Sequence, residues 1–231
     1  NNIKPYWPKN LLTMSRFFNI HTHHYHSTNQ VIEILNTYPS DNISTPFFTC
    51  GLHPWHIKEE TYKTELKLLD YKLSKENCLA LGECGLDKYS EVDFELQKKV
   101  FIEQLHLNTS HQKPIIIHCV KAYQEILNIH KQEKIEQQFL FHGFRKNALL
   151  LKQIHTEGHE VSFGVNLMKN PNLQTIFANL SMERIFLETD DTWFSIEEIY
   201  QKAAELKACS LDELKIAVEC NVERFFGHKF H

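Results

Sequence analysis

The chain has 231 residues, a formal net charge of −4 with histidine neutral, and 42% hydrophobic residues. This length and apolar content suffice for a globular domain with a full core. The acidic balance argues against a broad basic surface for duplex nucleic acid but leaves room for a local basic mouth. No apolar run approaches the roughly 18 residues that a membrane helix needs, so no membrane partner is expected.

The N-terminal stretch NNIKPYWPKNLLTM lacks the basic start and long apolar core of a secretory signal peptide. We expect residues 1–13 to be a peripheral extension and residues 14–231 to form a single domain. The six cysteines include no C-x-x-C pair, which favours a reduced, cytoplasmic protein over a disulfide framework.

Short apolar or β-branched runs predict eight strands along the chain. In chain order they are RFFNI (16–20), VIEIL (31–35), TPFFTCG (45–51), CLALGE (78–83), PIIIHC (114–119), QFLFH (138–142), HEVSFG (159–164) and RIFLET (184–189). From the fourth run onward, helical patterns separate the strands. Two later helices begin at capping boxes, Ser195-x-x-Glu198 and Ser210-x-x-Glu213, and Gly227 is predicted to end the last one.

Strands that alternate with helices in one chain of this size predict an α/β fold, the (β/α)₈ TIM barrel. Only about ten residues join the first strand to the second and the second to the third, which is too short for full crossover helices. The connections after the first two strands are therefore expected to be abbreviated.

Metal-binding residue types recur where the predicted strands end, which is the face that carries the chemistry of barrel enzymes. They are His21, His23, His53, Glu83, His118, His142 and Asp190. Residues two apart on a strand share a face, so His21 and His23 can point at one ion. Imidazoles with carboxylates suit Zn²⁺, Mn²⁺ or a related divalent ion. Because the number of ligands exceeds what one catalytic ion uses, a two-metal site with a bridging carboxylate is predicted.

Eight stretches, in the same order, resemble the TatD family of metal-dependent deoxyribonucleases within the amidohydrolase-like barrel superfamily. They are NIHTH (19–23), GLHPW (51–55), GECGLD (82–87), KPIIIHC (113–119), FHGF (141–144), VSFG (161–164), IFLETDD (185–191) and NVERFFG (221–227). They span almost the whole chain after residue 15. The pairing of GECGLD with LETDD about a hundred residues later is the specific feature, since HTH alone is weak.

The resemblance implies two metal ions. One is held by His21, His23, Glu83 and Asp190, and Glu83 bridges to a second, which is held also by His118 and His142. The chain departs from the family in having Asn19 where Asp is usual, and an amide there weakens negative charge near the ligands while keeping hydrogen bonds. It also departs after the sixth strand, where GFRKN (143–147) replaces a CFSG-like run.

Several residues are predicted to contact the substrate. His53 is free to touch a phosphate oxygen, although packing within its loop is an equal alternative. Lys121 and Arg145 can add positive charge at the mouth. For Trp55 two roles stay open, anchoring the loop and stacking on a base. Asp87 is expected to orient a loop or a ligand rather than to react.

The predicted function is a TatD-like deoxyribonuclease that cleaves phosphodiester bonds with a metal-activated water. Glu83 and Asp190 are its catalytic residues, two divalent ions (Zn, Mg or Mn) its cofactors, and DNA, single-stranded or at a strand end, its substrate. Three alternatives stay open. They are a hydrolase of a small phosphate ester, amide or lactone on the same barrel, a metallophosphoesterase of the polymerase-and-histidinol-phosphatase type, and a non-enzymatic binding protein. The sequence leaves the native metal, the choice of DNA or RNA, the mode of cleavage and the oligomer undetermined.

Overall fold

A sheet of parallel strands, hydrogen-bonded in chain order, forms the centre of the molecule. The computed structural model describes residues 16–26 and 28–230, so the predicted extension, residues 1–13, lies outside the described residues. The strands are β1 (Phe17–Thr22), β2 (Val31–Thr37), β3 (Phe48–Cys50), β4 (Cys78–Asp87), β5 (Ile115–Val120), β6 (Phe139–Phe141) and β7 (Glu160–Val161). Strands β1, β3, β4 and β6 are buried along their whole length, as in a parallel sheet that is covered on both faces.

The eighth predicted strand, residues 184–189, joins the two edges of this sheet without forming a regular strand. On one side, the Ile20 N–H donates to the Leu187 carbonyl over 3.2 Å. On the other side, the Phe163 N–H donates to the Phe186 carbonyl over 2.9 Å. The prediction of an α/β barrel is confirmed, and within residues 16–26 and 28–230 it has seven regular strands and an irregular eighth segment that closes the ring.

Helices fill the connections from β3 onward. They are α1 (Tyr62–Leu73), α2 (Phe94–Asn108), α3 (Tyr123–Gln132), α4 (Ala148–Thr156), α5 (Asn166–Lys169), α6 (Pro171–Ala178), α7 (Ile196–Lys207) and α8 (Leu211–Phe226), with a 3₁₀ helix at Met182–Arg184. The described residues between β1 and β2, and between β2 and β3, contain no helix, which confirms the abbreviated connections. In residues 16–26 and 28–230 no helix is both long and apolar enough to cross a bilayer.

The predicted helix ends are confirmed in detail. Ser195 and Ser210 each accept a hydrogen bond from the backbone N–H three residues on, and the glutamate there bonds back to the backbone of the serine. Gly227 ends α8 with φ of +61°, a left-handed conformation that glycine adopts without steric cost.

Two buried side chains on the last helices hold the strands that carry the polar residues. The Tyr200 hydroxyl, on α7, accepts from the Phe18 N–H over 3.0 Å and donates to the Phe18 carbonyl over 3.1 Å. The Asn221 amide, on α8, donates to the carbonyls of Met182 and Ile185. These bonds fix β1 and the eighth segment, and therefore also the polar residues at their C-terminal ends.

Candidate metal centre

The polar residues at the strand ends converge on one carboxylate, that of Glu83 in β4. Four of the predicted ligands lie within 3.6 Å of its oxygens: His21, His23, His118 and His142. The fifth, Asp190, comes directly after the eighth segment and lies beside His21 and His23. The structure thus brings together all six residues that the sequence predicted as ligands.

One oxygen of Glu83, Oε2, faces the histidines of the first strand. It lies 3.3 Å from Nε2 of His21 and 3.6 Å from Nε2 of His23. Asp190 Oδ1 lies 3.7 Å and 3.5 Å from the same two nitrogens. Two imidazoles and two carboxylate oxygens therefore surround one point, which is a donor set that divalent transition metals accept.

The other oxygen, Oε1, faces the histidines of the middle strands. Nδ1 of His118 and Nε2 of His142 both lie 2.7 Å from it. His53, in the loop after β3, adds its Nε2 at 3.3 Å. Each oxygen of the carboxylate thus belongs to a different group of nitrogens.

Local features of β4 set the position of this carboxylate. The register between β4 and β5 shifts between Leu81 and Cys84, which re-aims the side chain of Glu83. Gly85 brings β4 so close to β5 that a Cβ there would lie 2.1 Å from the His118 carbonyl oxygen. Asn36 of β2 accepts from the Glu83 N–H over 2.9 Å and donates to its Oε2 over 3.3 Å.

His118 and His142 each face Glu83 Oε1 with one ring nitrogen. The other ring nitrogen of each faces a further carboxylate. Asp87 Oδ2 is 3.1 Å from Nε2 of His118. Glu188, fully buried, has Oε1 at 3.6 Å from Nδ1 of His142 and accepts from the Gly143 N–H. Carboxylates behind metal-binding histidines fix the ring orientation and raise the basicity of the other nitrogen. The sequence analysis gave Asp87 an orienting role but did not single out Asn36 or Glu188.

Within the protein alone, some buried nitrogens of this site lack a hydrogen-bond partner, and some carboxylates compete for one histidine proton. A bound cation would remove both mismatches. Both ring nitrogens of His21 are buried, and neither has a hydrogen-bond partner within the described part of the chain. A neutral His118 carries one proton, yet its two nitrogens face two carboxylates, those of Glu83 and Asp87. Nitrogen and oxygen ligand atoms also lie within 4.8 Å of one another in two combinations of the predicted ligands, which are His21, His23 and Glu83, and His21, His142 and Asp190. The residues present therefore fit a metal centre.

Comparison with known proteins agrees with this geometry. The model of a family described as TatD-related DNase matches residues 12–227. The chain belongs to this family.

Relatives of this chain are described as metal-dependent hydrolases, and this chain belongs to the same class of enzyme. An uncharacterized metal-dependent hydrolase of Methanocaldococcus jannaschii is 25% identical over 194 residues, which are 79% of this chain and 76% of the relative. Another from Escherichia coli K12 is 24% identical over 196 residues, 78% of this chain and 73% of the relative. The crystal structure of a TatD homologue from Escherichia coli K12 has a TM-score of 0.79 at 20% identity, covering 94% of this chain and all of that one, and shows the same fold.

The charges of this TatD-family centre depend on one another. Burial alone would raise the pKa of Glu83, but the positive charge of His142 and hydrogen bonds from His118 and His142 hold it well below its usual range. Hydrogen bonds to Asp190 and Glu83 raise the pKa of His23 to about 10. For Asp190, burial is outweighed by the His23 hydrogen bond, and its pKa falls to about 2. At neutral pH both carboxylates are therefore ionised.

The residues predicted to touch substrate lie in different places. His53 lies inside the ligand cluster, and both His53 and Trp55 line the central cavity, of about 440 Å³, which opens over Glu83. Arg145 lines a neighbouring cavity of about 260 Å³ together with Asp190. The amino group of Lys121 lies over the ring of Tyr89, 4.6 Å from its centroid.

Two other polar residues on or near β1 do not face Glu83. His24 Nε2 is 2.9 Å from Asp191 Oδ1, as expected from its place out of phase with His21 and His23. Asn19 is buried, accepts from the Thr189 N–H over 2.9 Å and donates to the Thr189 hydroxyl over 2.8 Å. The amide at position 19 therefore ties β1 to the residue before Asp190.

Proposed function

We propose that the chain is a deoxyribonuclease that hydrolyses phosphodiester bonds with two divalent ions bridged by Glu83. The observation that carries the proposal is the division of the Glu83 carboxylate, with each oxygen facing its own group of histidines. The family description supports DNA as the substrate. We also propose a cytoplasmic location, which is supported by the absence of any disulfide among the six cysteines.

The proposed ligands divide between the two ions. His21, His23, Asp190 and Glu83 would hold one ion, and His118, His142 and Glu83 would hold the other. Mixed imidazole and carboxylate donors suit Zn²⁺ or Mn²⁺ better than Mg²⁺, which prefers oxygen ligands and retains water. When bound, such ions lower the pKa of a water molecule and neutralise charge on the phosphate oxygens in the transition state.

Asp190 is the residue that orients the attacking water. Its side chain is 43% exposed, and so it reaches the open part of the cavity. Its pKa of about 2 keeps it ionised at neutral pH, where it accepts a hydrogen bond from the water.

His53 is a hydrogen-bond donor at the centre and not a metal ligand. Its Nδ1 accepts from the backbone N–H of Trp55 over 3.1 Å. Burial lowers the pKa of His53, so the ring is neutral and carries its proton on Nε2. A protonated nitrogen has no lone pair for a metal, but it can donate to a phosphate oxygen or to the leaving group.

One observation favours a second candidate, the hydrolysis of a small phosphate ester. The described residues that line the central cavity include the acidic side chains of Asp41, Glu83, Asp190 and Asp191 but no lysine or arginine. A substrate with a single phosphate would need only the two ions to balance its charge, whereas a long polyanion gains from basic side chains along its path.

The test is an assay of the purified protein after chelation and restoration of Zn²⁺, Mn²⁺ or Mg²⁺ separately. The substrates are single-stranded DNA, duplex DNA, RNA, phosphate monoesters and a panel of amides and lactones. The proposal predicts metal-dependent release of nucleotides from DNA, which Glu83→Gln abolishes and the control His159→Gln, far from the centre, retains. Turnover of monoesters alone would favour the second candidate, and turnover of amides or lactones without phosphodiester cleavage would overturn both.

A further inference from the structure

A second and larger cavity lies directly beside the centre. We call it the side cavity. It measures about 630 Å³, and it shares four of its lining residues, Tyr38, Asp41, Trp55 and His56, with the central cavity. We propose that the side cavity is a nucleobase subsite in which Trp55 is the stacking platform. This inference rests on the proposed phosphodiesterase function, which places the cleaved phosphate next to it.

Trp55 is more than half exposed and is held in a fixed orientation. The side chain is 56% exposed, although its Nε1–H donates to Asp87 Oδ2 over 2.6 Å. His53 and His118 contact the ring at interplanar angles of 81° and 74°, so they meet it edge to face. Within residues 16–26 and 28–230, no aromatic ring stacks parallel to it. An anchored and exposed indole is the arrangement on which a base stacks.

Among the described residues, a second exposed tryptophan, Trp193, has one ring face covered by another ring. Trp193, in the segment after Asp190, is 85% exposed. One of its faces is covered by the ring of His24, with centroids 4.8 Å apart and planes 19° apart. Trp193 lines a different cavity, on the other side of β1, and does not line the side cavity.

The charges of the side cavity suit a base and not a phosphate. Asp41, Glu65 and Glu91 line it, against a single cation, Lys58. Carboxylates repel a phosphate, but they accept hydrogen bonds from the amino and imino groups on the edge of a base. The phosphate chain is better placed toward the Arg145 cavity, which borders the centre at Asp190. Base and backbone would then leave the centre in different directions.

Trp55 also contacts a proposed metal ligand, His118, both directly and through Asp87, and base binding must be separated from this second effect. Its partner Asp87 is also bonded to His118, so the loss of the indole N–H could change turnover without any change in base binding. Trp55→Phe removes the N–H but keeps a ring for stacking. Trp55→Ala removes both. Tyr71→Ala, which removes an exposed aromatic ring on α1, is the matched control.

The experiment compares three substrates: a short single-stranded oligonucleotide, the same strand with abasic residues beside the cleaved bond, and methyl p-nitrophenyl phosphate. For Trp55→Ala we expect the KM for the normal strand to rise about 5- to 100-fold, the range of base stacking on an aromatic side chain. The two substrates without a base should change much less. Trp55→Phe should stay within a few-fold of the parent protein on all three, and Tyr71→Ala should match the parent.

Binding of the fluorescein-labelled normal and abasic strands to the metal-free protein, measured by anisotropy, provides a second readout that needs no turnover. If Trp55→Ala binds the normal strand more weakly but binds the abasic strand as the parent protein does, the subsite is supported. This holds even if the protein cleaves no phosphodiester, in which case the proposed function fails and the subsite does not. Equal losses on substrates with and without a base would show that Trp55 acts only through Asp87 and His118. No change in either assay would also overturn the inference.

Discussion

The two ends of the barrel each carry a group of histidines, but the histidines at one end are charged and those at the other are neutral. At the C-terminal end, burial alone would lower the pKa of His142, but the negative charges of Glu83 and Glu188 raise it well above its usual value. At the opposite end, His159 precedes β7 and packs parallel to the ring of Phe139, with centroids 5.1 Å apart. Burial, followed by the positive charge of His130, lowers the pKa of His159 to about 4, and the more weakly acting Glu157 carboxylate does not offset it.

The comparison teaches that neighbours, and not residue type, decide what a buried histidine does. A histidine between carboxylates is charged, or it binds a metal that takes the place of the proton. A histidine among aromatic rings is a neutral core residue. The first kind lies after its strand and the second kind precedes it, so position relative to the strand separates them in the sequence as well.

The largest expected effect comes from Glu83→Ala. Since both halves of the centre share this carboxylate, its removal should lower the metal content and reduce hydrolysis by more than about 100-fold, beyond what the loss of an outer residue causes. Metal content is measured by mass spectrometry on the purified variant, and hydrolysis by the nucleotide-release assay. His159→Gln at the opposite end should bind metal as the parent protein does. Full metal content in Glu83→Ala would remove the bridging role.

A smaller effect is expected from Asp87→Asn, which weakens the support of His118 without touching the ligands themselves. Loss of an outer carboxylate of this kind costs about 10- to 100-fold in metal affinity or activity. The control is Asp93→Asn, the same chemical change at the N-cap of α2, where asparagine caps as well as aspartate. Metal affinity is measured by competition with a chromogenic chelator. Equal affinity in the two variants would show that Asp87 does not position His118.

The smallest effect should appear in stability at the opposite end of the barrel. The pKa of His159 is about 4 in the folded protein and about 6.5 in the unfolded chain. Between these values the unfolded state binds the proton first, so acidification from pH 6.5 to 4 lowers the free energy of unfolding, by on the order of 2 kcal/mol for this residue. Above pH 6.5 its contribution is constant.

Urea denaturation of the parent protein and of His159→Gln, both with chelator, at pH 7, 6 and 5 tests this. The difference in unfolding free energy between the two proteins should change with pH, and the metal-site histidines cancel in it. If the free energy of unfolding changed with pH in the same way for the parent protein and for His159→Gln, the assignment of a neutral His159 would be wrong.

Much of this fold and centre was predictable because its signals are local. Strand ends place His21, His118 and His142, and each signal needs only a few residues of sequence. A period of two along a strand could also have pointed to Asp87 and Glu188, which share a face with Glu83 and Asp190, respectively.

Other features depend on contacts that the sequence does not reveal. The backbone partners of the eighth segment, Ile20 and Phe163, lie on the two opposite edges of the seven-stranded sheet. Asn36 and Glu83, which are hydrogen-bonded to each other, lie 47 residues apart in the sequence. The side cavity forms where three loops meet. The tautomer of His53 depends on one backbone N–H, that of Trp55, whose position is set by the folded loop.

The most direct test of the proposed two-ion centre is anomalous X-ray diffraction from crystals of the parent protein grown with Mn²⁺ or Zn²⁺. We expect two peaks of anomalous density, one on each side of the Glu83 carboxylate. One should lie among His21, His23 and Asp190, and the other beside His118 and His142, with His53 outside the ligand distance of both. A single peak, or two peaks that do not share Glu83, would contradict it.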